Sequence, residues 1–280
     1  AADMKPLLNR AIVGYVLAGF AVLFAFLYLR FPGRDLKDGL ATAAAARYPG
    51  TAWSIKAVRP SFPPGVALSD ITAAFGDRPE RVLHADGLTV RPAWLSLLRG
   101  CFGFVMEGEG YGGAGTGRVD FSRPLSIRGP LSAAMNIRNV RVEKCPWLRD
   151  VLASQVTGTL NVAADFDGTR EALKGGAGNI EFTLTNGVFP LQGGLLGFER
   201  IDFSRIEGKM AYKNGALKVN QLTLNGNKLR CSLKGNILLA DDFRESRIDL
   251  SGTANIAMQG SRQMTLTITG TIGNPVARLM

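Results

Sequence analysis

A chain of 280 residues with 34 glycines, 13 prolines and 8% aromatics is long enough to bury a sizeable core, and its composition points to many turns rather than to disorder. Its net charge of +10 admits nucleic acid, an anionic lipid surface or an acidic partner. Three widely spaced cysteines, Cys101, Cys145 and Cys231, exclude a dense disulfide framework and any CxxC metal motif; they leave room for one bridge, and read more simply as small buried apolar side chains.

Residues 11–29 (AIVGYVLAGFAVLFAFLYL) run for nineteen positions without a charge. At about 1.5 Å per residue they cover roughly 28 Å, the thickness of a bilayer core. Lys5 and Arg10 precede the run, Arg30 follows it, and Tyr15 and Tyr28 stand towards its ends, where amphipathic rings settle. A cleaved signal peptide would have a shorter apolar core followed by small residues, whereas this one ends in Leu29-Arg30-Phe31-Pro32. A buried helix of a globular domain would keep a polar stripe, and none is present. The expectation is a single transmembrane helix over residues 11–30, anchored by Ala11, Ile12, Tyr15, Phe20, Phe24, Tyr28 and Leu29. Basic residues flank both sides, so the charge rule does not orient it; the mass does, because only the long following segment can fold. Residues 1–10 are then a cytoplasmic stub, and residues 31–280 lie outside the cytoplasm as one elongated domain or two halves, about 31–150 and 151–280.

Beyond Pro32, residues 35–47 place Leu36, Leu40, Ala43 and Ala44 at helical spacing and stop at Tyr48-Pro49-Gly50, which predicts a short amphipathic helix beside the membrane. Residues 52–58 and 66–75 read as strands around the rigid break at 59–65. Residues 82–90 lead into a proline-started helix over 92–98 closed by Gly100, and a second such insert spans 145–152. Between them lies a glycine-dense tract, residues 108–117. No Lys-Ser or Lys-Thr follows it, and its flanks read as strands, so a phosphate loop is rejected in favour of a bulge, a hairpin or a close backbone approach.

An apolar-x-Gly-x-apolar unit then recurs at Val156-Gly158-Leu160, Ile206-Gly208-Met210, Leu233-Gly235-Ile237, Leu250-Gly252-Ala254 and Ile268-Gly270-Ile272. Side chains alternate along a strand, so each unit is an apolar stripe with a gap in it. Turns are expected at Lys213-Asn214-Gly215 and Asn225-Gly226-Asn227, and no long helix interrupts from Ser154 on. The pattern predicts a mainly β protein, a long curved antiparallel sheet of roughly 12–14 strands and some 60 Å, with a few short helices. Val156, Leu160, Ile206, Met210, Leu233, Ile237, Leu250, Ile268 and Ile272 are candidates for the apolar face of a groove.

The segments Asp86-Gly-Leu-Thr-Val-Arg-Pro-Ala-Trp-Leu-Ser-Leu-Leu98 after Pro63-Pro64-Gly65-Val-Ala-Leu-Ser-Asp70, then Gly208-Lys-Met-Ala-Tyr-Lys-Asn-Gly-Ala-Leu217 and Leu222-Thr-Leu-Asn-Gly-Asn-Lys-Leu229, resemble type II secretion system protein N, the GspN family, whose fold is related to the AsmA-like proteins. The likeness spans nearly the whole chain and rests on strand patterns rather than on an invariant site. It implies a bacterial inner-membrane protein with a periplasmic β-groove, associated with the inner-membrane platform and secretin of the export apparatus. AsmA-like relatives are thought to carry phospholipid along such grooves, so phospholipid is a second expected partner. The family brings no functional residue set to carry over.

Chemistry is sparse. His84 is the one histidine and has no nucleophile elbow near it in sequence. Asp165 with Asp167 and Asp241 with Asp242 read as solvated loop acids outside any calcium-loop pattern. Arg138, Arg141, Lys144 and Arg149 lack the stacking aromatics of a nucleic-acid surface. The expectation is a non-catalytic protein without cofactor, metal or nucleic acid, acting as a secretion component or as a lipid-binding groove.

Overall fold

The computed structural model describes residues 14, 15, 18, 19, 22, 26, 28–75, 82–124, 126–152, 155–190, 199–240, 242–256 and 262–280. The stub 1–10 and, in the expected span, Ala11, Ile12, Phe20 and Phe24 lie outside the described residues; Tyr15, Tyr28 and Leu29 are helical and exposed. Among the described residues no helix is long and apolar enough to cross a membrane.

Helix α1 (Gly33–Arg47) comes next and lies along the first strand. Its half-buried residues are Gly33, Lys37, Ala41, Ala44 and Ala45, while Leu36 and Leu40 are exposed. The face expected from leucine spacing is therefore rotated away. Small side chains win the contact because they let the helix approach the strand backbone, where Gly33 sits against the Val58 carbonyl.

Among the described residues fourteen antiparallel strands follow, each pairing with its neighbours in sequence, so β1 to β14 form one open meander. The first seven are β1 (Thr51–Ser61), β2 (Gly65–Phe75), β3 (Val82–Pro92), β4 (Cys101–Gly110), β5 (Gly113–Pro124), β6 (Pro130–Arg141) and β7 (Thr159–Thr169). The second seven are β8 (Ala172–Pro190), β9 (Arg200–Lys213), β10 (Ala216–Gly226), β11 (Leu229–Leu238), β12 (Arg247–Ile256), β13 (Arg262–Thr271) and β14 (Asn274–Leu279). Two short helices, α2 (Trp94–Leu98) and α3 (Pro146–Leu152), sit in the β3–β4 and β6–β7 connections.

Local chemistry explains the meander. Alternation in β11 sets Leu229, Cys231, Leu233 and Ile237 on one face and Arg230, Ser232, Lys234 and Asn236 on the other. The tight turns Tyr111-Gly112 (φ 54° and 77°) and Asn214-Gly215 (φ 50° and 79°) have positive φ at both central positions, the twist that a two-residue hairpin needs. Four details differ from the sequence reading. Asn225 and Gly226 close β10, which moves that turn to Asn227-Lys228; Asp165 and Asp167 lie on the exposed face of β7 rather than at a turn. Val156 precedes β7, and Ile272 sits in the β13–β14 turn. Of the other acidic pair, Asp241 lies outside the described residues, and Asp242 accepts a 3.0 Å hydrogen bond from the Arg244 amide.

The main core belongs to the second half of the sheet. Ile201, Val219, Leu229, Leu233, Leu250, Ala254 and Leu266, from β9 to β13, are buried together. A smaller cluster, Val142, Val156, Leu184 and Phe203, lies under the β6–β7 connection. The register stacks these side chains directly, with Leu233 opposite both Leu222 and Gly252. Burying each large aliphatic side chain contributes about 1.5–3 kcal/mol. All three cysteines are free, with Cys145 buried; burial also pushes the Cys231 thiol upward.

Candidate functional site

The sheet's apolar face is left open over β1 to β7, where it forms a trough of about 710 Å³. Trp53, Ile71, Leu88, Met106, Ile137 and Phe166 line its walls. That size falls within the usual range of small-molecule sites, about 300–1,000 Å³.

Two devices shape it. The first is a change of face within the strands. Strict alternation would turn Ala85 and Leu88 to opposite sides of β3, yet both line the trough. Between them the register runs through Ser69–Gly87 and Ile71–Ala85, which flank Asp70 at φ 47°. A non-glycine residue in the left-handed region redirects the side chains around it, so the apolar face continues across the break. Lys56 Nζ donates to Asp70 Oδ2 at 2.7 Å, and that hydrogen bond holds the carboxyl below its ordinary range.

The second device is the floor. Gly108 pairs with Gly115, and Gly117 pairs with Met106. None of the three has a positive φ. A Cβ on Gly115 would meet nothing closer than Ile137 at 3.6 Å, and one on Gly108 nothing closer than 3.4 Å, which is ordinary contact. On Gly117 it would meet the flexible end of Met106 at 3.3 Å. Neither backbone geometry nor neighbouring side chains require glycine here, although glycine in a strand interior costs roughly 0.5–1 kcal/mol relative to alanine. What the glycines leave is depth.

Polar groups gather at the margins. The His84 amide donates to Tyr111 Oη at 2.7 Å, which draws the phenol over one end of the trough, and burial pushes that phenol upward. His84 Nε2 lies 3.2 Å from Asp86 Oδ1, a surface pair beside the rim. At the other end Ser96 of α2 donates to Asp120 Oδ1 at 2.7 Å, and Arg118 joins the same carboxylate. Asp120 is held below the ordinary carboxylate range chiefly by the Arg118 hydrogen bond, with Ser96 adding to it. Among the described residues no three His, Cys, Asp or Glu side chains converge to hold a metal ion.

The nine residues proposed from the recurring glycine unit are placed elsewhere. Register sets Leu160, Ile206, Met210, Leu233, Ile237, Leu250 and Ile268 on one continuous face of the sheet. Leu233 and Leu250 belong to the main core, with Met210, Ile237 and Ile268 packed against it. Val156 is in the smaller cluster, with Leu160 and Ile206 against it, and Ile272 lies in its turn. None of the nine lines the trough. The gaps in their stripes are filled: Gly208 lies under the Phe182 ring, and Gly235 and Gly252 lie against the backbone of Asp249 and Ser232. The signal that points to the trough is the glycine-dense tract between two strands, which sequence spacing registers as a hairpin but not as a floor.

No protein-family model matches the chain, and no curated protein or solved structure matches it.

Proposed function

We propose that the chain is a non-catalytic, membrane-anchored protein whose amino-terminal trough holds the apolar chain of a lipid. The observation that carries this reading is the open apolar trough over β1 to β7, with a glycine floor that none of the described residues fills. An apolar concavity with polar groups confined to its margins suits an amphiphile whose head stays at the rim. Residues 11–29 supply the anchor in this reading, and the domain they hold lies in the periplasm of the bacterial inner membrane. The full chain, extracted in mild detergent, should carry phospholipid detectable by native mass spectrometry. Extraction with no bound lipid, together with Trp53 fluorescence that brominated lipid leaves undimmed, would overturn the reading, because Trp53 lines the trough.

The resemblance to the GspN family favours a second role, a structural component of the type II secretion apparatus. Fourteen strands at about 4.8 Å span roughly 60 Å, too short to cross a periplasm alone, so partners are needed in either role. Crosslinking in intact cells should recover the inner-membrane platform or the secretin. Recovery of neither would remove this second reading and leave the lipid reading standing.

A further inference from the structure

In an antiparallel meander, alternate connections lie at the same end of the sheet. The β1–β2, β3–β4 and β5–β6 connections therefore share one end, and they carry an unusual set of side chains. Phe62 at the β1–β2 tip is 91% exposed, and Leu95 and Leu98 of α2 are 69% and 84% exposed. Trp94 and Ile127 are exposed beside them. Single exposed apolar residues are normal, but three adjacent connections projecting them together are not. Arg99, Arg123 and Arg128 stand exposed among them, and residues 62–64, 93–100 and 124–130 contain no carboxylate. The acid that reaches them is Glu171 of the β7–β8 turn at the same end, which accepts from the Gly129 amide, while Arg170 beside it donates to the Ile127 carbonyl, so the edge keeps an excess of positive charge. At the opposite end Tyr48 alone is a large exposed apolar residue in the described turns of this half, and the β6–β7 connection mixes Glu143 and Asp150 with Lys144 and Arg149.

The chain's own path points the same way. α1 starts with Gly33 against Val58, near the tip end of β1, and runs back to Arg47 before β1 begins. Residues 28–32 thus arrive at the tip end, and the uncharged run 11–29 leads directly into it.

We propose that these three connections form a docking edge that rests on an anionic phospholipid surface. Phe62, Leu95 and Leu98 enter the interface, and Arg99, Arg123 and Arg128 meet the headgroup phosphates. Bulky apolar side chains interleaved with an excess of basic ones are the chemistry that binds such an interface. An acidic protein surface would match the charge but would not call for three separate apolar tips at one level. The edge would hold the open trough at a fixed height over the bilayer, a constraint that one flexible span does not impose.

Three single-tryptophan versions of the full chain test this, each keeping Trp53, Trp94 or Trp147 and carrying Phe at the other two positions. They are reconstituted with vesicles of brominated phosphatidylcholine and phosphatidylglycerol. Trp94 should be quenched several-fold more than Trp147, which lies in α3 at the opposite end. Arg99→Gln, Arg123→Gln and Arg128→Gln together, or Phe62→Ser, Leu95→Ser and Leu98→Ser together, should lower that quenching several-fold with the β-sheet circular dichroism unchanged. Trp94 as bright as Trp147, or quenching insensitive to the arginine changes, would overturn the proposal. Shielding of Trp94 from aqueous acrylamide without bromine quenching would assign the edge to a protein partner instead and also overturn it. Vesicle flotation reports the anchor, Trp53 the trough and Trp94 the edge, so the three ideas fail separately.

Discussion

The two halves of the sheet are built from the same alternating strands and the same glycine-rich vocabulary, yet one half is closed and the other open. In the second half, Gly208 under Phe182 and Gly252 against Ser232 mark places already taken by a ring or a backbone. In β4 and β5, Gly108, Gly115 and Gly117 mark space that stays empty among the described residues. Phe166 stands where the two regimes meet: it lines the trough while its ring packs over Gly168 and Gly176 and lies 6.0 Å from the Tyr212 ring. Glycine content alone therefore does not distinguish packing from a cavity. The cross-strand partner does, because it decides whether anything reaches into the gap.

Breaking the closed half should have the largest effect. Leu233 is 2% exposed, so Leu233→Ala is expected to cost about 2–5 kcal/mol, read from urea denaturation of the full chain in detergent. Gly252→Ala ranks next, since its new methyl would meet the Ser232 carbonyl and must push β11 from β12, a strain of about 1–3 kcal/mol. If either change left the denaturation midpoint where it was, the second half would not be the packed unit described.

The open half should answer to the same kind of change with a different outcome. Gly115→Val introduces a β-favouring side chain whose Cβ meets only ordinary contacts, on the open face of the trough, so stability should stay within about 1 kcal/mol of the parent or rise. The side chain would fill the floor, and lipid co-purifying with the protein should fall several-fold. A variant that kept its lipid would show that the floor is not where the ligand lies, whereas a large loss of stability would show that the floor was already occupied by the protein.

Much of the architecture was legible because alternation is local. The runs 229–233, 247–250 and 264–268 could be read as one-sided strands from side-chain order alone, and so could the short helices after Pro92 and Cys145. What decides open against closed is non-local. Nothing near Gly208 in sequence announces Phe182, which reaches it through the β8–β9 register. Asp70 was equally invisible: an aspartate in an apolar strand does not advertise a positive φ, yet the trough depends on the change of face it brings. The helix face failed for a related reason, since leucine spacing measures hydrophobicity while the α1 contact is decided by how closely Gly33 and Ala41 let two backbones approach.

The smallest effect tests how firmly α2, and with it the proposed docking edge, is tied to the wall of the open half. Ser96 in α2 and Arg118 in β5 both bind the Asp120 carboxylate, which holds its pKa below the ordinary value of 3.8. A carboxyl depressed in the folded state contributes stability that is fully present above its unfolded value and is lost as pH falls through the folded value. The tie should therefore be intact at neutral pH and weaken only below about pH 4. The pair is partly solvated, so the change in overall stability is slight and screened by salt. Its local signature is clearer: the protection of amides in residues 94–98, taken relative to the intrinsic exchange rate at each pH, should fall on acidification while that of β11 and β12 is kept. Asp120→Asn should show the lower protection already at neutral pH, with no further loss in acid. If that variant kept the parent's acid response, the Asp120 tie would not be what fastens α2 to the trough wall.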